Sequence, residues 1–179
     1  MNRYVALFRG INVGRAKRIA MADLRAILES LGYTQVRTLL NSGNAVFEAA
    51  GEAPEKMATR IRSAVAKKVG VDALVVVKSA GDIAAVVKAN KLASTATDPS
   101  RLLVALTIDA PTLAGLSHLA KTQWKGDAVH VGKHAAYIWC ADGFLESKAA
   151  VALLRDLGEY GTTRNWATLE KINALLQAQ

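Results

Sequence analysis

The 179-residue chain is 51% hydrophobic and 21% charged with three prolines, the balance of a globular protein with a real core rather than a disordered one. No apolar run nears the ~20 residues that span a bilayer, and the start has no apolar stretch of a secretory signal. The single cysteine, Cys140, excludes an internal disulfide and a Cys-based zinc cluster. A cytoplasmic protein without a membrane partner is expected. The net charge of +8 is uneven: residues 1–79 hold 13 Lys and Arg against 6 Asp and Glu, residues 80–179 hold 10 against 9. The basic excess therefore lies in the first half, and it favours an anionic partner or a solvated basic surface.

Residues 4–8 are short and apolar enough for a central strand. The loop Arg9-Gly10-Ile11-Asn12-Val13-Gly14-Arg15 follows, with Lys17 and Arg18 behind it. Met21, Leu24, Ile27, Leu28 and Leu31 then recur at helical spacing, and Gly32 stands where a left-handed cap belongs. Residues 36–40 and 45–48 flank the turn-rich Asn41-Ser42-Gly43-Asn44 as a hairpin. A second helix starts near Pro54 with Met57, Ile61, Ala64 and Val65 inward, closes at Gly70, and is followed by a strand over residues 74–78.

This order is that of a ferredoxin-like unit. The right-handed crossover makes the first two strands parallel, so the glycine loop and the 41–44 hairpin should emerge at the same end of the sheet. From Ser79 a helix carries Ile83, Val86 and Val87, and residues 91–100 are linker-like. A buried strand over 102–108, a helix after Pro111, a hairpin around Gly132-Lys133-His134, and a helix capped by Ser147 with Val151, Leu154 and Leu157 repeat the pattern. No clear closing strand follows: Gly161 to Asn165 lead straight into a last helix with Leu169, Ile172, Leu175 and Leu176 inward, which Asn165 can cap. The expected fold is α+β, with two ferredoxin-like subdomains whose antiparallel sheets carry helices on one face. The boundaries are 1–79 and 80–179, the latter with an extra C-terminal helix.

The glycine loop lacks the Lys-Ser/Thr pair of a Walker loop and the third glycine of a dinucleotide fingerprint. Its glycines serve either a tight strand-to-helix turn or an anion site built from loop amides and nearby cations. His118, His130 and His134 have no carboxylate or cysteine at ligand spacing, so no metal and no cofactor are expected. Asp109 and Asp127 read as capping or turn residues, Cys140 as core, and Trp166 as packing or stacking.

The run from Tyr4 to Gly14, Met21 with Leu24, Gly32-Tyr33, Val36 with Thr38, Ser42-Gly43-Asn44 with Val46-Phe47, Gly143, Ser147-Lys148 and Thr162-Thr163-Arg164-Asn165-Trp166 with Thr168 together resemble the bacterial family known as domain of unknown function 1697. The resemblance covers nearly the whole chain and implies a two-part α+β fold with ferredoxin-like halves, without an established activity. The sequence departs from the family at Arg15, where a second glycine is usual, and at Lys91-Leu92, where an Asn-Pro-Phe run is common.

Three functional expectations follow. The first is a small anionic or phosphate-bearing ligand held by Arg9, Gly10, Asn12, Gly14, Arg15, Ser42, Gly43 and Asn44, joined by Arg164 and Asn165 if the last helix brings them near. Within the second half, Arg164 has the alternative of bonding a backbone carbonyl or a carboxylate. The second is a nucleic-acid-binding module that stacks bases on Tyr4, Phe8 or Phe47. The third is an enzyme without a recognisable motif, for instance one that uses Ser42.

Overall fold

The computed structural model describes residues 1–178. It forms two compact units: Met1–Gly81 together with the C-terminal stretch from Ile172, and Asp82–Lys171.

In the first unit β1 (Asn2–Phe8), α1 (Met21–Ser30), β2 (Thr34–Leu39), β3 (Asn44–Ala49), α2 (Pro54–Val69) and β4 (Val75–Ser79) follow one another. The sheet order is β2-β3-β1-β4 with every neighbour antiparallel, the ferredoxin-like arrangement. Alternation along the strands turns Tyr4, Ala6, Phe8, Ala45, Phe47, Val75 and Val77 toward Leu24, Ile27 and Leu28 of α1 and Met57, Ile61 and Val65 of α2. Each large aliphatic side chain withdrawn from water there contributes roughly 1.5–3 kcal/mol. Helix α1 stops where Gly32 takes φ 86°, its N–H reaching Glu29 O while the Tyr33 N–H reaches Leu28 O, a Schellman closure. Pro54 opens α2 and left-handed Gly70 closes it.

Strand β2, at the sheet margin, is irregular: its register against β3 shifts between Thr34 and Arg37, and Gln35 has φ 51°. On the sheet face turned away from α1 and α2, Arg3 donates to the Glu48 carboxylate at 3.1 Å and to the carbonyls of Leu176 and Ala178. This ties the end of the chain to the first unit.

The boundaries between the units fall within α3 (Ala80–Lys88) and α6 (Trp166–Gln177). Between them run β5 (Leu102–Thr107), α4 (Ala110–Gly115) with 3-10 turns to Lys121, β6 (Ala128–Val131), β7 (Ala136–Trp139), α5 (Lys148–Leu157) and β8 (Gly161–Asn165). The sheet order is β6-β7-β5-β8, again antiparallel throughout. The second unit thus has the closing strand that the sequence did not reveal. The GTTRN segment pairs along five residues of β5 from Leu103↔Asn165 to Thr107↔Gly161. It is a polar margin strand with one neighbour, so it carries no apolar run to announce it.

Leu103, Ala105, Ala136 and Ile138 pack under Leu113, Leu116 and Leu119 on one side and Ala149, Ala150, Leu153 and Leu157 on the other. The inward stripe of α5 keeps Leu157 but not Val151: Val151 is 63% exposed, Leu154 is half-buried, and small Ala149, Ala150 and Ala152 with Leu153 join the core. On the opposite face of this sheet the Tyr137 hydroxyl donates to Val86 O of α3 at 2.6 Å. Ser147 caps α5 through the Ala150 N–H, Asp109 caps α4 through the Thr112 N–H, and Asn165 accepts from the Thr168 N–H at the start of α6. These are the capping roles that the sequence suggested.

Among the described residues no helix is long and apolar enough to cross a membrane.

Candidate functional site

Because β1 and β2 both run antiparallel to β3, they are parallel to each other, and the loop after β1 meets the β2–β3 hairpin. The Phe8 N–H donates to Gly43 O at 2.9 Å and the Arg9 N–H to Leu74 O at 2.9 Å, so the segment leading into β4 reaches the same end. Gly43 has φ 82°, and a Cβ there would lie 2.7 Å from Phe8 Cβ and 2.6 Å from Ile11 Cδ1. Only a glycine allows the hairpin to approach the loop this closely.

Asn12 holds the assembly. Its Oδ1 accepts the Ile19 N–H at 2.9 Å, and its Nδ2 donates to Ile19 O at 2.9 Å and to Asn41 O at 2.8 Å. Its own N–H reaches Lys17 O at 3.0 Å, which closes a ring of loop around Val13 to Ala16. Asn12 takes the left-handed φ of 57°, a conformation that asparagine tolerates better than most residues. One carboxamide thereby joins the glycine loop, the approach to α1 and the hairpin.

Gly10, Asn12 and Gly14 are left-handed whereas Ile11 and Val13 between them are not. The Asn12 N–H is already committed to Lys17 O, while Gly10 and Gly14 are exposed. Around the loop Arg15, Lys17 and Arg18 are exposed and Arg9 is half-buried. Lys17 lies near enough to Asp72 to help hold its carboxyl below the ordinary range, after the hydrogen bond from Arg62. There is no acidic residue before Asp23, and Ala20, the N-cap of α1, makes no side-chain capping bond.

In the hairpin, Asn44 is fully buried and its Nδ2 donates to Leu39 O at 2.8 Å and Ser42 Oγ at 3.0 Å. Thus Arg9, Gly10, Asn12, Gly14, Arg15, Ser42, Gly43 and Asn44 come together at one end of the first sheet. Asn12 and Asn44 act there as braces, and the backbone and cations form the accessible part.

Arg164 and Asn165 belong to the second unit. Arg164 is buried in β8, donating through Nη1 to Thr162 Oγ1 at 2.9 Å and Thr163 O at 2.8 Å, and burial pulls its pKa down to about 10. Asn165 caps α6.

Tyr4, Phe8 and Phe47, the aromatics that a base-stacking sheet would display, are buried against the helices. Trp166 is also buried. Among the described residues no group of three His, Cys, Asp or Glu side chains is placed to hold a metal ion. His118 sits between Gly115 O and the Asp156 carboxylate, and His130 stacks on Tyr137. Cys140 is buried, and desolvation pushes its thiol up, away from nucleophilic use.

Asp127, read from the sequence as a capping or turn residue, organises the second unit in that way. Its carboxylate accepts from the Ala141 N–H at 3.2 Å and Ser147 Oγ at 2.8 Å, pinning the turn that precedes α5. A cavity of about 240 Å³ lies elsewhere in the first unit, lined by Arg3, Arg37, Val46, Glu48, Leu175 and Leu176 among others. The Arg3 guanidinium there is already engaged with Glu48 and the end of α6.

Comparison with known proteins agrees with this architecture. A family model described as "Protein of unknown function (DUF1697)" matches residues 1–137, and the chain belongs to that family. The fold is similar to that of a solved structure described as conserved bacterial protein SP0830 from Streptococcus pneumoniae, at 24% identity and a TM-score of 0.79, covering 98% of this chain and 99% of that one. No curated protein matches the chain.

Proposed function

We propose that this member of the DUF1697 family binds a small phosphate-bearing or otherwise anionic ligand against the loop from Arg9 to Arg18 and the adjoining hairpin of its first unit. The observation that carries the reading is the bracing by Asn12, which holds the alternating Gly10–Asn12–Gly14 backbone in place. A ring of loop fixed before a ligand arrives loses little entropy on binding. Exposed Arg15, Lys17 and Arg18 supply attraction without a neighbouring acid on the same loop. Arg9 stands at the hinge between β1 and the loop, and Ser42 offers a hydroxyl from the hairpin. The setting is the cytoplasm, a reading that rests on composition and a lone buried cysteine.

The test is thermal unfolding with phosphate, pyrophosphate, AMP and ATP, for the native chain and for Arg15→Glu/Lys17→Glu. A ligand that binds only the folded state stabilises by RT ln(1 + [L]/Kd), about 2.7 kcal/mol at a hundredfold excess over Kd. A rise in Tm with at least one anion, abolished in the charge-reversed variant, is expected. Identical shifts in the two proteins would discard the loop as the site.

A further inference from the structure

Two of the exposed large hydrophobic residues stand at the same place as the basic loop. Val13, 72% exposed, lies within the ring closed by Asn12, and Leu40, 52% exposed, lies at the start of the hairpin. They are neighbours of Asn12 and Asn41, whose 2.8 Å hydrogen bond joins the two loop tips. Leu40 moreover has a φ of 58°, a conformation in which glycine or asparagine is less strained. A branched aliphatic side chain is thus exposed at an unfavourable backbone position, on a hairpin tip joined to the loop that carries exposed Arg15, Lys17 and Arg18. Single exposed aliphatics are ordinary; two on joined tips, one of them on a strained backbone, within a rim of positive charge are an amphipathic surface.

We propose that the ligand of this site is an amphiphilic phosphomonoester, whose phosphate meets the loop amides and cations while its apolar group covers Val13 and Leu40. This rests on the anion reading above and specifies the other half of the ligand. A bare inorganic anion would use the charged rim and leave both side chains in water. An alkyl group of a few carbons laid over the joined tips withdraws them from it, at about a fourfold gain in affinity for each methylene fully removed from water. The surface is open, so the gain per methylene is smaller than that full value.

The experiment compares methyl phosphate with hexyl phosphate by titration calorimetry, at equal ionic strength and below the micelle-forming concentration, on the native chain and on Val13→Asn/Leu40→Asn. Both substitutions are at exposed positions and Leu40→Asn relieves the left-handed strain, so folding is retained; the melting temperature checks this. The native chain binds hexyl phosphate at least fivefold more tightly than methyl phosphate, and the double variant reduces that ratio to about one. Equal affinities in the native chain, with methyl phosphate still bound and lost in Arg15→Glu/Lys17→Glu, would overturn the amphiphile and leave the anion site standing. A preference for hexyl phosphate that survives in the double variant would also overturn it, by moving the apolar contact elsewhere. Binding of neither compound would overturn both readings.

Discussion

Asn12 and Asn41, 29 positions apart, are joined by a hydrogen bond from the Asn12 carboxamide to the Asn41 carbonyl, and the same carboxamide holds Ile19 at both its N–H and its C=O. Replacing Asn12 by Ala removes these bonds, each worth about 0.5–1.5 kcal/mol net, and places a Cβ-bearing residue without local compensation at a left-handed φ, which costs ~1 kcal/mol more. Asn12→Ala is therefore expected to lose about 2.5–5.5 kcal/mol in urea unfolding, with the slope unchanged. Asn12→Gly, free of the φ penalty, should lose about 1 kcal/mol less. Equal losses in the two would mean that the backbone conformation contributes nothing.

The glycines of this end are separable by the same measurement. Gly10 and Gly14 have positive φ but open space where a Cβ would go, whereas at Gly43 a Cβ would press on Phe8 and Ile11. Gly10→Ala and Gly14→Ala should each cost ~1 kcal/mol from conformation alone. Gly43→Ala should cost a further 1–3 kcal/mol from overpacking. A ranking that placed Gly43→Ala level with the others would contradict the close approach of hairpin and loop.

Alkaline pH tests the second unit. Burial pushes the Tyr137 hydroxyl up to about 12 from an ordinary 10.0. Because its folded pKa lies above its unfolded one, the stability it contributes is fully present below pH 10 and declines as pH rises through about 12. Tyr137→Phe should flatten the fall in stability between pH 9.5 and 11. At pH 7 it should cost ~1–2 kcal/mol, since Val86 O loses its donor. Denaturant midpoints across the pH series provide both readings, and an unchanged alkaline slope would reassign the titration to another group.

What sequence could reveal depended on how local the determining contacts are. Leu24, Ile27 and Leu28 define their helix by spacing alone, and Gly32, Gly70, Ser147 and Asn165 mark helix ends through bonds that span only a few residues. The nearness of the Arg9–Gly14 loop and the Asn41–Asn44 hairpin followed from topology, because crossover handedness determines which strand ends coincide. Strand β8 was hidden, since Gly161-Thr162-Thr163-Arg164-Asn165 is polar and its identity as a strand depends on β5, far away in sequence. In α5 the periodicity misled: Val151 outranks alanine on any hydropathy scale, yet the sheet admits Ala149 and Ala150 because small side chains let the helix sit close. The bracing role of Asn12 was legible only in outline. An asparagine between two glycines signals left-handed backbone, but its partners at Ile19 and Asn41 are set by tertiary closure. For Arg164 the sequence offered either a place in a site or a bond to a backbone carbonyl within the second half, and the bond to Thr163 O, beside that to Thr162 Oγ1, is of the second kind.

The kink in β2 has a bearing on behaviour at high concentration. A regular strand at a sheet margin offers an unbroken row of amides and carbonyls on which another chain can template itself. Here left-handed Gln35 and the register jump between Thr34 and Arg37 interrupt that row midway, and Arg37 puts a full charge just beyond the break. An incoming strand would lose pairing after two or three residues and meet a guanidinium. The irregularity that looks like imperfect folding in this sheet is thus a guard against edge-to-edge aggregation.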